Sequence, residues 1–190
     1  MTEQKQSGAL ALVGMPGAGK TLCAKHLEER GFFQFRFGGI VTGEVSRRGL
    51  AINAENERVV REEFRRNEGM DAIAKRALPH LKTALETHNN IIIDGLYGFS
   101  EYKMLRSELG AELIVVAIVC SRGVRHRRLT TRVDRPLTVN EAENRDYREI
   151  ENLEKGGPIA IADYFLDNDD TAESLLTRLD VLLDKLRVMP

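Results

Sequence analysis

The sequence predicts an α/β chain: a doubly wound, five-stranded parallel sheet with helices on both faces and a small lid. Three features predict it. Strand-like and helix-like stretches alternate through most of the 190 residues, the pattern of repeated βαβ units. Ile91-Ile92-Ile93 and Ile114 to Val119 are apolar without interruption, as strands covered on both faces must be. A glycine-rich turn joins the first strand to the first helix, and sheets of this kind bind ligands beyond the carboxyl ends of their strands.

Each element has its own signal. Ala9 to Val13 is a short apolar run and reads as a buried strand. Thr21 to Arg30 reads as a helix stopped by Gly31. Phe32 to Phe37 is aromatic-rich and reads as the second strand, broken by Gly38 and Gly39. From Ala54 to Thr87 the chain is charged, with helical spacing and few breakers. It predicts two helices parted near Gly69, with Pro79 kinking the second or ending its first part. Asn90 to Asp94 is β-branched and reads as the third strand, followed by a helix over Ser100 to Leu109. Glu112 to Cys120 reads as the fourth strand and Arg122 to Thr131 as a basic helix. A loop with Pro136 then leads to a helix over Asn140 to Asn152, and Asp163 to Asn168 reads as a short fifth strand. The last helix carries Leu175, Leu176, Leu179, Leu182, Leu183 and Leu186, an apolar stripe for packing on the sheet.

Bulk properties exclude several function classes. The formal net charge is −1, so no global field holds nucleic acid or an anionic membrane. Two cysteines, Cys23 and Cys120, make no disulfide framework and read as small buried side chains in a reducing compartment. Met1 to Ser7 lacks the pattern of a signal peptide, and no apolar run is long enough to span a bilayer. The expectation is a cytoplasmic protein.

The strongest chemical signal is Gly14-Met15-Pro16-Gly17-Ala18-Gly19-Lys20-Thr21, which fits the phosphate-loop pattern G-x-x-x-x-G-K-[ST]. Glycines let the backbone turn so that successive N–H groups face phosphate oxygens. The helix that starts there adds unpaired N–H groups and the positive end of its dipole. Gly14, Pro16, Gly17, Ala18, Gly19, Lys20, Thr21 and Leu22 form the expected nucleotide cradle. Lys20 would reach the β- and γ-phosphates, and the Thr21 hydroxyl would ligate Mg²⁺. Asp94 ends a neighbouring strand and would face the metal or its waters.

Arg122, Arg125, Arg127, Arg128, Arg132 and Arg135 crowd one short stretch, and Arg145 follows on the next helix. Arg125, Arg128 and Arg132 are three and four apart and so predict one helix face. An arginine-bearing arm suits charge stabilisation in phosphoryl transfer. A solvated basic face is the plainer alternative. Balanced overall charge and the lack of interleaved aromatics speak against a nucleic-acid patch.

In this order the phosphate loop, the strand ending in Asp94 and Arg128-Leu129-Thr130-Thr131-Arg132 resemble the adenylate-kinase-related P-loop kinases. The resemblance implies that Arg128 stacks on the adenine, that Arg132 contacts the phosphates, and that Arg145 is a second catalytic arginine. More closely, the chain looks like a mainly archaeal, dephospho-CoA-kinase-like group of predicted nucleotide kinases. Arg48-Gly49-Leu50, Glu55-Asn56, Glu68-Gly69, Ala74-Lys75-Arg76, Ile93-Asp94-Gly95, Ala162-Asp163-Tyr164 and Asn168 carry that likeness. The chain departs from the pattern on the acceptor side. Gly38-Gly39 and Thr42 stand where the family has Gly-Asp and an arginine, and Tyr97 stands where the group has another arginine. No aspartate-rich segment surrounds Phe35-Arg36-Phe37-Gly38. Arg47 or Arg48 would be the nearest cations to compensate.

The resulting expectation is a single domain, 1–190, with an acceptor-side helical segment at about 38–88 and a lid at about 122–140. It would transfer phosphate from ATP with Mg²⁺ to a nucleotide or nucleotide-like small molecule, with Lys20, Asp94, Arg132 and Arg145 as the catalytic set. The alternative is a nucleotide-dependent switch that hydrolyses slowly without an acceptor.

Overall fold

A computed structural model describes residues 8–133 and 135–190. Five strands, β1 (Gly8–Val13), β2 (Phe33–Arg36), β3 (Asn90–Asp94), β4 (Glu112–Val119) and β5 (Tyr164–Asp167), form one sheet in the order β2-β3-β1-β4-β5. Every neighbouring pair is parallel. The helices are α1 (Lys20–Glu29), α2 (Gly38–Arg47), α3 (Ala54–Glu68), α4 (Ala72–Thr87), α5 (Phe99–Glu108), α6 (Arg122–Thr131), α7 (Val139–Glu151), α8 (Gly156–Ala160) and α9 (Ala172–Leu186). The expected α/β sheet is therefore the observed one.

Side-chain alternation along the strands divides the core in two. Ala9, Ala11, Val13, Ile91, Ile93, Leu113, Val115 and Ala117 face α2, α3, α4 and α5, meeting Val41, Val45, Val60, Phe64, Leu81 and Leu105. Leu10, Leu12, Ile92, Val116 and Ile118 face α1 and α9, meeting Cys23, Leu27, Leu175, Leu179 and Leu183. Each fully buried leucine contributes about 1.5–3 kcal/mol of transfer free energy. The uninterrupted apolar runs of β3 and β4 follow directly, because both faces of those strands are covered.

Register places the chemistry at one end. Leu12, just before the phosphate loop, pairs with Asp94, and Asp94 pairs across with Arg36. The loop after β1 and the turn after β3 therefore open side by side at the carboxyl edge.

The structure adds two helices and corrects one expectation. β2 ends just before Gly38 and Gly39, as expected, but these glycines also begin α2, whose Val41 and Val45, four apart, are buried against the sheet. Packing of that apolar stripe outweighs the poor helix propensity of glycine. Pro79 does not end α4, which runs through it from Ala72 to Thr87. The short helix α8 lies in a stretch where glycine and proline hide any helical pattern. Among the described residues, no helix is long and apolar enough to cross a membrane.

Candidate functional site

The phosphate loop is held by its neighbours on three sides. Gly14 has φ +148°, and a Cβ there would lie 2.4 Å from the Ile118 carbonyl oxygen. Gly19 has φ +111°, and a Cβ there would lie 2.4 Å from Asn168 Nδ2. Neither position accepts a side chain: the loop packs on the β4 backbone at Gly14 and on the Asn168 side chain at Gly19. Asn168, at the end of β5, donates Nδ2 to the Ala18 carbonyl at 2.7 Å, and Arg125 Nη1 donates to the Pro16 carbonyl at 3.1 Å.

No side chain caps α1, although its Leu22 amide already donates to the Gly19 carbonyl at 3.0 Å. Lys20 Nζ donates to the Gly14 and Met15 carbonyls at 2.7 and 3.2 Å. Lys20 is half-buried by area, yet its ammonium is enclosed by the loop it bonds. That burial, and then the positive charge of Lys155, pull its pKa down to about 7, against the opposing pull of Glu149 and Asp94. Gly17, Gly19, Lys20 and Thr21 line a hollow of about 240 Å³ whose other wall is Arg128, Leu129 and Arg132. Four of the eight expected cradle residues and two of the expected lid arginines therefore share one space.

Asp94 stands near enough to Lys20 for each to act on the other, and Gln34 Nε2 donates to its Oδ2 at 3.4 Å. Burial raises the Asp94 pKa, and Lys20 and Arg36 only partly offset this. A half-buried carboxylate with no ion-pair partner among the described residues, an exposed Thr21 and the uncapped start of α1 fit a triphosphate with a hard divalent cation. Among the described residues no group of three His, Cys, Asp or Glu side chains forms a metal cage.

The arginines divide into three roles. Arg125 does not share an open face with Arg128 and Arg132. It is buried and forms a two-bonded pair with Asp146 at 2.9 and 2.8 Å, and His126 shares that carboxylate. Burial alone would raise the Asp146 pKa, but bonds from Arg125 and His126 outweigh it and hold the carboxyl below its usual range. Arg132 lies past the end of α6 with extended backbone, which turns it off the helix face, and its Nε donates to the Arg135 carbonyl. Arg128 bridges Cys120 Sγ at 3.3 Å and the Asp170 carbonyl at 3.2 Å on the rim of the hollow.

Arg145 is not on the hollow's wall. Its Nε donates to Glu149 at 3.4 Å, and Glu149 also pairs with the buried Lys155. Lys155 Nζ in turn stands 4.3 Å from the centre of the Tyr97 ring. Sequence reasoning missed this wall of Glu149, Lys155, Tyr97 and Glu101, because its members come from separate segments. Arg47 and Arg48 supply no free charge: Glu44 takes both, and Glu63 also takes Arg48 at 2.7 Å. Thr42 Oγ1 donates to the Gly39 carbonyl at 3.3 Å within α2.

Known proteins resemble the chain at two levels. A family model described as an AAA domain matches residues 10–161. A UPF0200 protein of Thermococcus onnurineus is 33% identical over 180 residues, 93% of this chain and 97% of that one. A UPF0200 protein of Methanosarcina barkeri is 33% identical over 184 residues, 95% and 97% of the two chains. A UPF0200/UPF0201 protein of Archaeoglobus fulgidus, 33% identical over 179 residues, is longer, and the chain spans about half of it, 55%. Among solved structures, TT1252 of Thermus thermophilus superposes with a TM-score of 0.68 at 17% identity, covering 95% of this chain and 98% of that one. A shikimate kinase of Acinetobacter baumannii in complex with shikimate gives 0.57 at 18%, covering 96% and 95%. At such identities these two structures show a shared fold alone.

Proposed function

The chain belongs to the AAA-domain family and to the UPF0200 proteins, and from that premise we propose that it is an ATP- and Mg²⁺-dependent phosphotransferase acting on a nucleotide or nucleotide-like small molecule. One observation carries the reading: the uncapped start of α1, Lys20, Thr21, Arg128 and Arg132 converge on a single hollow. A triphosphate there would lie along that helix start, with Lys20 moving from its loop carbonyls to the β- and γ-oxygens. Thr21 and Asp94 would hold Mg²⁺, which neutralises charge on the phosphate oxygens when bound. Arg128 offers a flat guanidinium at the rim for the base. Arg132 and Arg145 would stabilise charge on the transferred group from two sides.

Structural neighbours of this fold include proteins described as shikimate, sugar and gluconokinases, which supports small-molecule phosphotransfer over other uses of the loop. The test is a coupled ADP assay with ATP and Mg²⁺ against a panel of nucleotides, dephospho-CoA and small hydroxy compounds. Rapid ADP formation should need a particular acceptor. AMP should serve poorly, because Thr42 carries no charge and Arg47 and Arg48 are engaged elsewhere. Slow hydrolysis that no acceptor accelerates would favour a nucleotide-dependent switch instead.

A further inference from the structure

Two side chains from outside the phosphate loop hold carbonyls of that loop. Arg125 Nη1 donates to the Pro16 carbonyl at 3.1 Å, and Asn168 Nδ2 donates to the Ala18 carbonyl at 2.7 Å. Both residues are buried, and neither is free to turn away. Arg125 is fixed by its two bonds to Asp146, at 2.9 and 2.8 Å. Asn168 continues β5, and its own amide donates to the Val119 carbonyl at 2.8 Å. Lys20 also bonds loop carbonyls, but those are the bonds it would exchange for phosphate oxygens.

Every peptide bond of the described residues is trans. In a planar trans peptide the C=O and the N–H point in opposite directions. A Pro16 carbonyl tied to Arg125 therefore turns the Gly17 amide away from Arg125. A carbonyl tied to Asn168 does the same for the Gly19 amide. Gly17 and Gly19 both line the hollow beside α6. Among the described residues neither amide has a protein acceptor, whereas the Ala18 amide between them closes a turn onto the Met15 carbonyl at 3.2 Å. A backbone N–H is an obligatory donor, so these two are left for an acceptor outside the chain. The loop is also pressed where it is pinned. Gly17 has φ +80°, and a Cβ there would lie 2.9 Å from the Arg125 carbonyl oxygen, much as Gly19 abuts Asn168.

We propose that Arg125 and Asn168 are positioning residues, which by holding the Pro16 and Ala18 carbonyls aim the Gly17 and Gly19 amides at phosphate oxygens of the bound nucleotide. Donors fixed in advance need no reorganisation when the anion arrives. Arg125, an arginine of the basic stretch, then serves the phosphates without touching them.

Calling the anion a nucleotide rests on the phosphotransferase reading, but the amides are followed without turnover. Pyrophosphate is titrated in the presence of Mg²⁺ by calorimetry and by the amide resonances of isotope-labelled protein. In the parent we expect saturable binding with large shifts at both Gly17 and Gly19. Asn168→Leu keeps the volume and loses only the bond to Ala18, since Asn168 Oδ1 has no partner among the described residues. It should weaken pyrophosphate about tenfold and shrink the Gly19 shift, while Gly17 keeps its own. Arg125→Met combined with Asp146→Asn leaves no buried charge unpaired and should do the reverse. Should that combination fail to fold in a thermal melt, Arg125→Lys takes its place. It keeps a charge opposite Asp146, gives up the fork that reaches Asp146 and Pro16 together, and should shrink the Gly17 shift with several-fold weaker binding. A merely structural role would not give this reciprocal pattern, because a loosened loop moves both amides alike. The proposal is overturned if the variants bind pyrophosphate as the parent does, or if each variant dulls both amides equally. The reciprocal pattern without turnover against any acceptor would sink the phosphotransferase reading and leave the two residues in place. A parent that does not bind pyrophosphate would sink both.

Discussion

Lys20 spends its ammonium on two carbonyls of its own loop, at 2.7 and 3.2 Å, while burial and Lys155 work against its charge. On the proposed reading a bound triphosphate would supply the counter-charge that the loop carbonyls replace only weakly. Lys20→Ala should therefore lower ATP affinity strongly and leave the fold intact. Calorimetric titration and a thermal melt of the two proteins check this, and equal affinity would refute it. The cysteines make a second residue-scale case. Burial pushes the Cys23 thiol up to about 12, and burial followed by the Asp169 carboxylate pushes Cys120 up to about 11. The thiolate is the reactive form, so at pH 8 only about a thousandth of Cys120 is ready to react. Iodoacetamide should label Cys120 slowly and Cys23 only after denaturation. Rapid labelling of either in the folded protein would contradict these positions.

At the scale of elements, α6 and α7 are clamped by one carboxylate. Asp146 holds Arg125 and His126, and Arg125 in turn holds Pro16 of the phosphate loop. Removing one partner from a buried pair leaves the other charge uncompensated, so Asp146→Ala should cost about 3–5 kcal/mol in denaturant unfolding. The sign of its pH dependence follows from the lowered folded pKa of Asp146. The contribution is fully present above the unfolded carboxylate value near 3.9 and is lost as pH falls through the folded value, so parent and variant should converge only in strong acid. Arg132 and Arg145 make the opposite kind of prediction. Neither is buried, and among the described residues each has a single weak or backbone partner. Their alanine variants should melt as the parent does and bind ATP nearly as well, yet turn over about 10²-fold more slowly with a productive acceptor. Normal turnover in either variant would remove it from the catalytic set. The same helices show how far sequence reached. Basic α6 was legible as a helix, but which of its arginines is buried was not. That is decided by Asp146, twenty-one residues away, and no spacing rule sees across that distance. Helix α2 was hidden by its leading glycines, although Val41 and Val45 carried the signal of an apolar stripe.

Across the whole molecule, legibility follows contiguity. The donor side is written in eight consecutive residues whose backbone does most of the work, so the motif declares itself. The sheet is legible because a parallel strand covered on both faces has to be apolar throughout, as Ile91-Ile92-Ile93 is. The cluster of Arg65, Tyr97, Glu101, Glu149 and Lys155 is assembled from α3, the β3–α5 turn, α5, α7 and the residue before α8, and each residue taken singly reads as an ordinary surface charge or a core aromatic. The sheet also keeps two books of packing. The odd residues of β1 support α2 to α5, while its even residues support α1 and α9. A lineage can therefore rework the α2–α5 half, trading one recognition surface for another, without loosening the half on which the phosphate loop's own helix rests. In a chain built this way, the fuel can stay constant through descent while the cargo changes.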